Sequence, residues 1–142
     1  ALGDLAFAAP SAHFTVAYSA IGLTPDAGMT YILPRLVGLR KAQELIFTNK
    51  RLSAESAVLI GLINRVVDAA SLDQEAARFA SVLAAGATSA LGQTRRLLLQ
   101  SFGESLEGQL ETEARAIADA ARSANGREGV AAFVAKRQPN FV

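Results

Sequence analysis

Asp26 is the residue of this chain whose setting best suits moving a proton to or from carbon. It lies in the stretch Ile21-Gly22-Leu23-Thr24-Pro25-Asp26-Ala27-Gly28. There Thr24 reads as a helix N-cap, Pro25 as the first helical residue and Asp26 as an acid of the first turn. Backbone N–H groups and the dipole at a helix start stabilise a carboxylate, whereas apolar neighbours such as Ala20, Ile21, Leu23, Ala27 and Met29 oppose its charge. A base that is ionised yet poorly hydrated suits proton abstraction from carbon. On local pattern alone, ordinary dipole matching accounts for the same aspartate more simply.

Other side chains carry weaker signals. Tyr18 is either a phenol on a pocket wall or a core ring. Lys136 and Arg137, near Phe133 and Phe141, suit a phosphorylated ligand on an aromatic floor, or a helix C-terminus. Arg95-Arg96 reads as a solvated face, and Arg35 and Arg40-Lys41 flank the turn at Gly38. His13 is the single histidine and reads as a surface or packing residue beside a strand. Without cysteine there is no disulfide, thiol nucleophile or Cys-ligated zinc, and one histidine excludes a His-rich metal site. No G-x-S-x-G, G-x-x-x-x-G-K-[ST] or G-x-G-x-x-G pattern occurs.

The elements that position these residues follow from periodicity and punctuation. Extended segments are expected at 5–9, 13–16 and 62–67. Helices are expected from Pro25 to about Leu33-Pro34, and over 38–47, 53–60 with Ser53 as N-cap, 71–85, 89–101, 104–122 and 127–137. Pro34 and Asn125-Gly126 read as breakers. Strands first and helices afterwards make an α+β pattern with a helical second half.

The 142 residues suffice for one ordinary domain, and the net charge of +1 gives no field to attract nucleic acid or an anionic membrane. Hydrophobic residues make up 51% and charged residues 19%, against a usual charged share of about 25%. That excess points to surfaces buried against other subunits or against a further part of the same protein. The apolar runs are too short for a membrane span, and no signal peptide is visible, so a cytoplasmic location is expected.

Taken in order, several strings resemble the crotonase (enoyl-CoA hydratase/isomerase) family. They are 21–30 with Leu33-Pro34-Arg35-Leu36-Val37-Gly38, then 42–48, Arg51-Leu52-Ser53-Ala54-Glu55-Ser56-Ala57, Gly61-Leu62-Ile63-Asn64-Arg65-Val66-Val67, and 127–137. Each is weak alone; the ordered set is specific and covers essentially the whole chain. Phe14, Ala17-Tyr18-Ser19 and Gly22-Leu23-Thr24-Pro25-Asp26 resemble the 1,2-epoxyphenylacetyl-CoA isomerase type within that family.

The resemblance implies a ClpP/crotonase-like fold of which this chain is the C-terminal half. Residues 1–70 would belong to the β/α spiral core, and 71–142 to a helical region that oligomerises and covers CoA. It implies an acyl-CoA thioester substrate, CoA as part of that substrate with no separate cofactor or metal, and a trimer or hexamer for the intact protein. Family members hold a thioester enolate with two backbone N–H groups, and both would lie upstream of Ala1, one on an earlier loop and one in the Gly-rich turn opening the helix whose end resembles Ala1-Leu2-Gly3. Tyr18 falls where hydratases carry a glutamate, which disfavours the paired-glutamate route, while Asp26 falls where some isomerases carry an acid. Asp26 is therefore the expected catalytic base, with Tyr18, Ile21, Pro25 and Met29 around the substrate and Phe133 and Lys136 on CoA. Two alternatives stand beside the isomerase: a catalytically silent oligomerisation fragment, and an enoyl-CoA hydratase.

Overall fold

The computed structural model describes residues 3–142, so the expected helix end at Ala1-Leu2 lies outside the described residues. The chain forms two compact units, Ala1–Ala77 and Arg78–Val142.

In the first unit the strands are short because each is paired over only a few residues. β1 (Phe7–Ala8) lies parallel to β4 (Arg65–Val66), with Phe7 opposite Arg65 and Ala8 opposite Val66. Asn64 closes this pairing twice: its backbone N–H donates to Ala6 O at 2.8 Å, and its Oδ1 accepts from Ala6 N–H at 2.8 Å. β2 (His13–Phe14) lies antiparallel to β3 (Leu52–Ser53), with His13 opposite Ser53. The rest of the expected extended segments at 5–9, 13–16 and 62–67 is not strand: residues 62–64 bend, with Leu62 and Ile63 N–H donating to Ala57 O at 2.9 and 3.3 Å, and elsewhere no ladder partner is present among the described residues.

β3 runs straight into α3 (Ala54–Leu59), and Ser53 is its N-cap as expected, its Oγ accepting from Ser56 N–H at 3.2 Å. Ala54 and Ala57 are fully buried. Small side chains there let α3 press onto the strand residues Ala8 and Leu52, with Leu45 and Ile63 completing the cluster. Ser53→Ala is expected to destabilise the fold by about 1 kcal/mol, read as a lower urea midpoint with an unchanged slope. An unchanged midpoint would mean that packing of the two alanines alone holds this helix start.

α1 (Met29–Val37) and α2 (Leu39–Thr48) enclose a second cluster of Val16, Leu33 and Ala42. Both ends of α1 differ from the sequence reading. It starts at Met29 after a Gly28 N-cap with φ of 76°, so neither Thr24 nor Pro25 is at its start and its first turn has no acid. It also continues through Pro34 to Val37. Proline inside a helix removes one hydrogen bond and typically costs ~3 kcal/mol. The neighbouring Leu33 is 1% exposed in the cluster, and that burial keeps the turn helical. Gly38, at φ of 80°, ends α1 and its N–H donates to Pro34 O at 3.0 Å.

α4 (Leu72–Ala84) contains the division between the units, and the second unit continues with α5 (Thr88–Gln100), α6 (Leu106–Arg122) and α7 (Ala124–Val134). Ser105 caps α6 by accepting from Gly108 N–H at 3.1 Å. Asn125-Gly126, expected to break the helices, instead lies in the first turn of α7. The break is one residue, Ser123, whose Oγ donates to Ala120 O at 2.7 Å and accepts from Gly126 N–H at 2.9 Å. A hydroxyl that serves the last turn of one helix and the first of the next makes a longer turn unnecessary.

Beyond α7 the chain reverses at Lys136, a non-glycine residue at φ of 51°, where Arg137 N–H donates to Ala132 O at 3.0 Å. The tail is then latched back onto α7. Arg137 grips both oxygens of Glu128, at 2.6 and 2.8 Å, and Asn140 N–H donates to Glu128 Oε1 at 2.8 Å. Asn125 exchanges two hydrogen bonds with the Val142 backbone, at 2.8 and 2.9 Å. The Arg137 hydrogen bond first, and then that of Asn140, hold the Glu128 carboxyl at about 2 instead of 4.5. A carboxyl lowered on folding stabilises the latch above its unfolded value, and that contribution is lost as pH falls from 4.5 toward about 2. Amide exchange at Asn140 is expected to accelerate across that window relative to the α6 amides; equal acceleration of both would refute a local latch. No helix among the described residues is long and apolar enough to cross a membrane.

Candidate active site

The site grows from the loop between β2 and α1. Thr15 Oγ1 donates to Asn49 O at 3.1 Å, and Ser19 Oγ lies 2.8 Å from Ile46 O and 2.9 Å from Asn49 Oδ1. These bonds pin the loop to the C-terminal end of α2, where Asn49 takes the left-handed conformation at φ of 50°. A 3-10 turn, Ser19–Ile21, follows and is closed by Gly22 at φ of 74°. Ile21 and Leu23 N–H both donate to Tyr18 O, at 3.1 and 3.0 Å, which fixes the Tyr18 backbone. Its half-buried ring packs on the Val16–Leu33–Ala42 cluster beside Met29.

The chain then returns through Pro25 and Asp26. Tyr18 Oη donates to Asp26 Oδ1 at 2.7 Å. This hydrogen bond, followed by the Asp26 negative charge, raises the Tyr18 phenol above its ordinary 10.0. Asp26 is exposed, and its carbonyl accepts from Met29 N–H at 2.9 Å. Ala27 and Gly28 follow with φ of 49° and 76°. A left-handed alanine is strained by ~1–2 kcal/mol, so the chain turns sharply between the carboxylate and the helix.

Asp26 thus stands ahead of the helix, not in its first turn, and its defined partner is a phenol rather than a ring of backbone N–H groups. Of the other residues expected near it, Pro25 and Met29 are half-buried and Ile21 is 72% exposed on the 3-10 turn. A cavity of ≈ 420 Å³ opens beside Met29, with Phe7, Phe14, Val16 and Leu33 among its apolar walls and His13, Thr15 and Lys50 as its polar groups. Its lining is mostly apolar. His13 Nδ1 is 2.8 Å from Ser11 O, as befits a structural surface histidine. Among the described residues no acidic or histidine cluster could hold a metal ion.

Phe133 and Lys136 are described within the second unit. Phe133 is 85% exposed on the last turn of α7, and Lys136 follows it at the chain reversal. The sequence offered Lys136 and Arg137 together as cations for a phosphorylated ligand. The structure separates them: Arg137 is committed to Glu128, and Lys136 has no ion pair among the described residues. Two features escaped the sequence reading, the Tyr18–Asp26 bond and the Asn49 anchor. Gly22 between Tyr18 and Asp26 was the available signal, since a left-handed glycine lets a chain double back.

Comparison with known proteins bears on the family and the fold. The profile of the enoyl-CoA hydratase/isomerase family (ECH_1) matches residues 1–142. The chain is 42% identical over 139 residues to the 1,2-epoxyphenylacetyl-CoA isomerase of Escherichia coli (strain K12), covering 98% of this chain and 53% of that protein. It is 32% identical over 133 residues to 4-chlorobenzoyl coenzyme A dehalogenase-1 of Arthrobacter sp, covering 94% of this chain and 48% of that protein. The crystal structure of an enoyl-CoA hydratase from Polaromonas sp. JS666 superposes with a TM-score of 0.91 at 35% identity, covering 98% of this chain and 54% of that one. The chain spans about half the length of these relatives. The hydratase structure has this chain's fold, the crotonase fold, and the chain belongs to the enoyl-CoA hydratase/isomerase family.

Proposed function

We propose that the chain is the C-terminal portion of an acyl-CoA isomerase, with Asp26 carrying a proton between carbons of an unsaturated or ring-modified acyl thioester. The observation that carries this reading is the Asp26 carboxylate, exposed at the loop and bonded through Oδ1 to a neutral phenol. Oδ2 is then the oxygen open to a substrate proton, and no cation is bonded to the carboxylate among the described residues. The acyl group would enter the apolar cavity beside Met29, with Tyr18, Ile21 and Pro25 around its reacting end. Phe133 and Lys136 would meet the adenine and 3′-phosphate of CoA, an exposed ring and an unpaired cation on one turn. CoA arrives as part of the substrate, and no metal or redox cofactor takes part. The enolate would be held by backbone N–H groups of the N-terminal portion, so the 142 residues alone are expected to be inactive. The 42% identity to an acyl-CoA isomerase supports this over hydration, as does the phenol at Tyr18 in place of a second carboxylate.

A second reading is an assembly module without catalysis. The second unit exposes the large apolar side chains Leu98, Leu99, Phe102, Ile117 and Phe133, and such side chains suit burial against another subunit. They support residues 71–142 as the homo-oligomer region under either reading.

The test is deuterium exchange. The intact protein in D2O with an unsaturated acyl-CoA is expected to label the carbons on either side of the migrating double bond. Absence of both label and double-bond migration in the intact protein would remove the isomerase reading. Labelling by the 142 residues alone would remove the assembly-module reading.

A further inference from the structure

We infer that Tyr18 is the positioning residue of the Asp26 carboxylate, holding Oδ1 so that Oδ2 alone faces the substrate. The inference rests on Asp26 being the base, and it goes further by assigning what aims that base. Asp26 lies on a loop with no regular structure, exposed to solvent, ahead of two left-handed residues. A carboxylate there has free rotation about its side-chain bonds unless something holds it. Among the described residues Tyr18 is the only side chain hydrogen-bonded to it, at 2.7 Å.

Tyr18 suits that role because it is itself held at both ends. Its carbonyl accepts from Ile21 and Leu23, and the next residue, Ser19, is tied to Ile46 and Asn49 of the α2 terminus. Its ring packs against the Val16–Leu33–Ala42 cluster. The anchored arm of the loop thus reaches the Asp26 side chain through one O–H. A phenol can do this without competing for the substrate proton, because its shift lies upward and it stays protonated at neutral pH. Tethering one carboxylate oxygen restricts the other to the orientations that reach a substrate carbon, and misplacement of a catalytic group by about 1 Å can cost ~100-fold in rate.

Two measurements test this. In the full-length protein, the ultraviolet phenolate titration of the wild type minus that of Tyr18→Phe reports Tyr18. Its titration midpoint is expected above 10.0 and should fall when Asp26→Asn is added. Coincident midpoints would overturn the inference, because the bond would be absent in solution. In the full-length enzyme, Tyr18→Phe is expected to lower kcat about tenfold with KM little changed, the loss of one hydrogen bond to a charged group. If Asp26→Asn abolishes turnover and Tyr18→Phe leaves kcat intact, Asp26 remains the base and only the positioning role falls. If Asp26→Asn has no effect, both assignments fall together.

Discussion

Asp26→Asn in the full-length enzyme is expected to lower kcat by about 10²–10⁴, the usual worth of a positioned general base, with KM nearly unchanged. The substitution keeps size and shape, and the amide oxygen can still accept the Tyr18 hydroxyl that now holds Oδ1 at 2.7 Å. The loop should therefore keep its course, so the loss reads as missing basicity and not as a missing site. Asp26→Glu restores the charge but adds a methylene, which breaks the match to a phenol fixed by the α2 terminus. It should recover a small part of the rate, because displacement of a catalytic group by about 1 Å costs ~100-fold. Equal kcat in wild type and Asp26→Asn would show that the proton moves by another route.

Gly126→Ala is expected to destabilise the second unit by about 2 kcal/mol, against the helix-propensity gain of up to ~1 kcal/mol that alanine normally brings. The reason is the one-residue corner at Ser123. Gly126 lies in the first turn of α7, and a methyl group there would collide with the Ala120 carbonyl and crowd Ala121 Cα. Backbone at a doubly capped corner cannot move aside as a flexible side chain can, so the steric term wins. Gly92 in α5 supplies the contrast, since a methyl group there meets nothing within 4 Å. Gly92→Ala should stabilise by about 0.5–1 kcal/mol. Urea midpoints moving in opposite directions would confirm the corner argument; a shift of the same sign in both variants would refute it.

What the sequence carried by itself was mainly local. The helical periods of α2, α4, α5 and α6 matched their expected spans closely, because a helix satisfies its backbone within one segment and its caps are near neighbours. Ser53 shows this most directly: its partner Ser56 is three residues away. The ordered family strings also ran along the whole chain and identified the crotonase fold before any contact was known.

Tertiary structure decided whatever needed a distant partner. Strand lengths depended on which residues found a ladder, so the expected strand at 5–9 shrank to Phe7–Ala8 opposite Arg65–Val66. Pro34 reads as a helix end from its own chemistry, yet burial of Leu33 against Val16 and Ala42 carried α1 past it. Arg137 was paired with Glu128, nine residues back, which no helical spacing would pair. Asp26 and Tyr18 were both marked in the sequence, but as separate residues. Their bond exists because Ser19 and Thr15 anchor one arm of the loop to Asn49, and Gly22 turns the other arm back. Residue type determined which groups could do chemistry. The long-range hydrogen bonds that fix a loop determined which of them meet, because they alone overcome its conformational entropy.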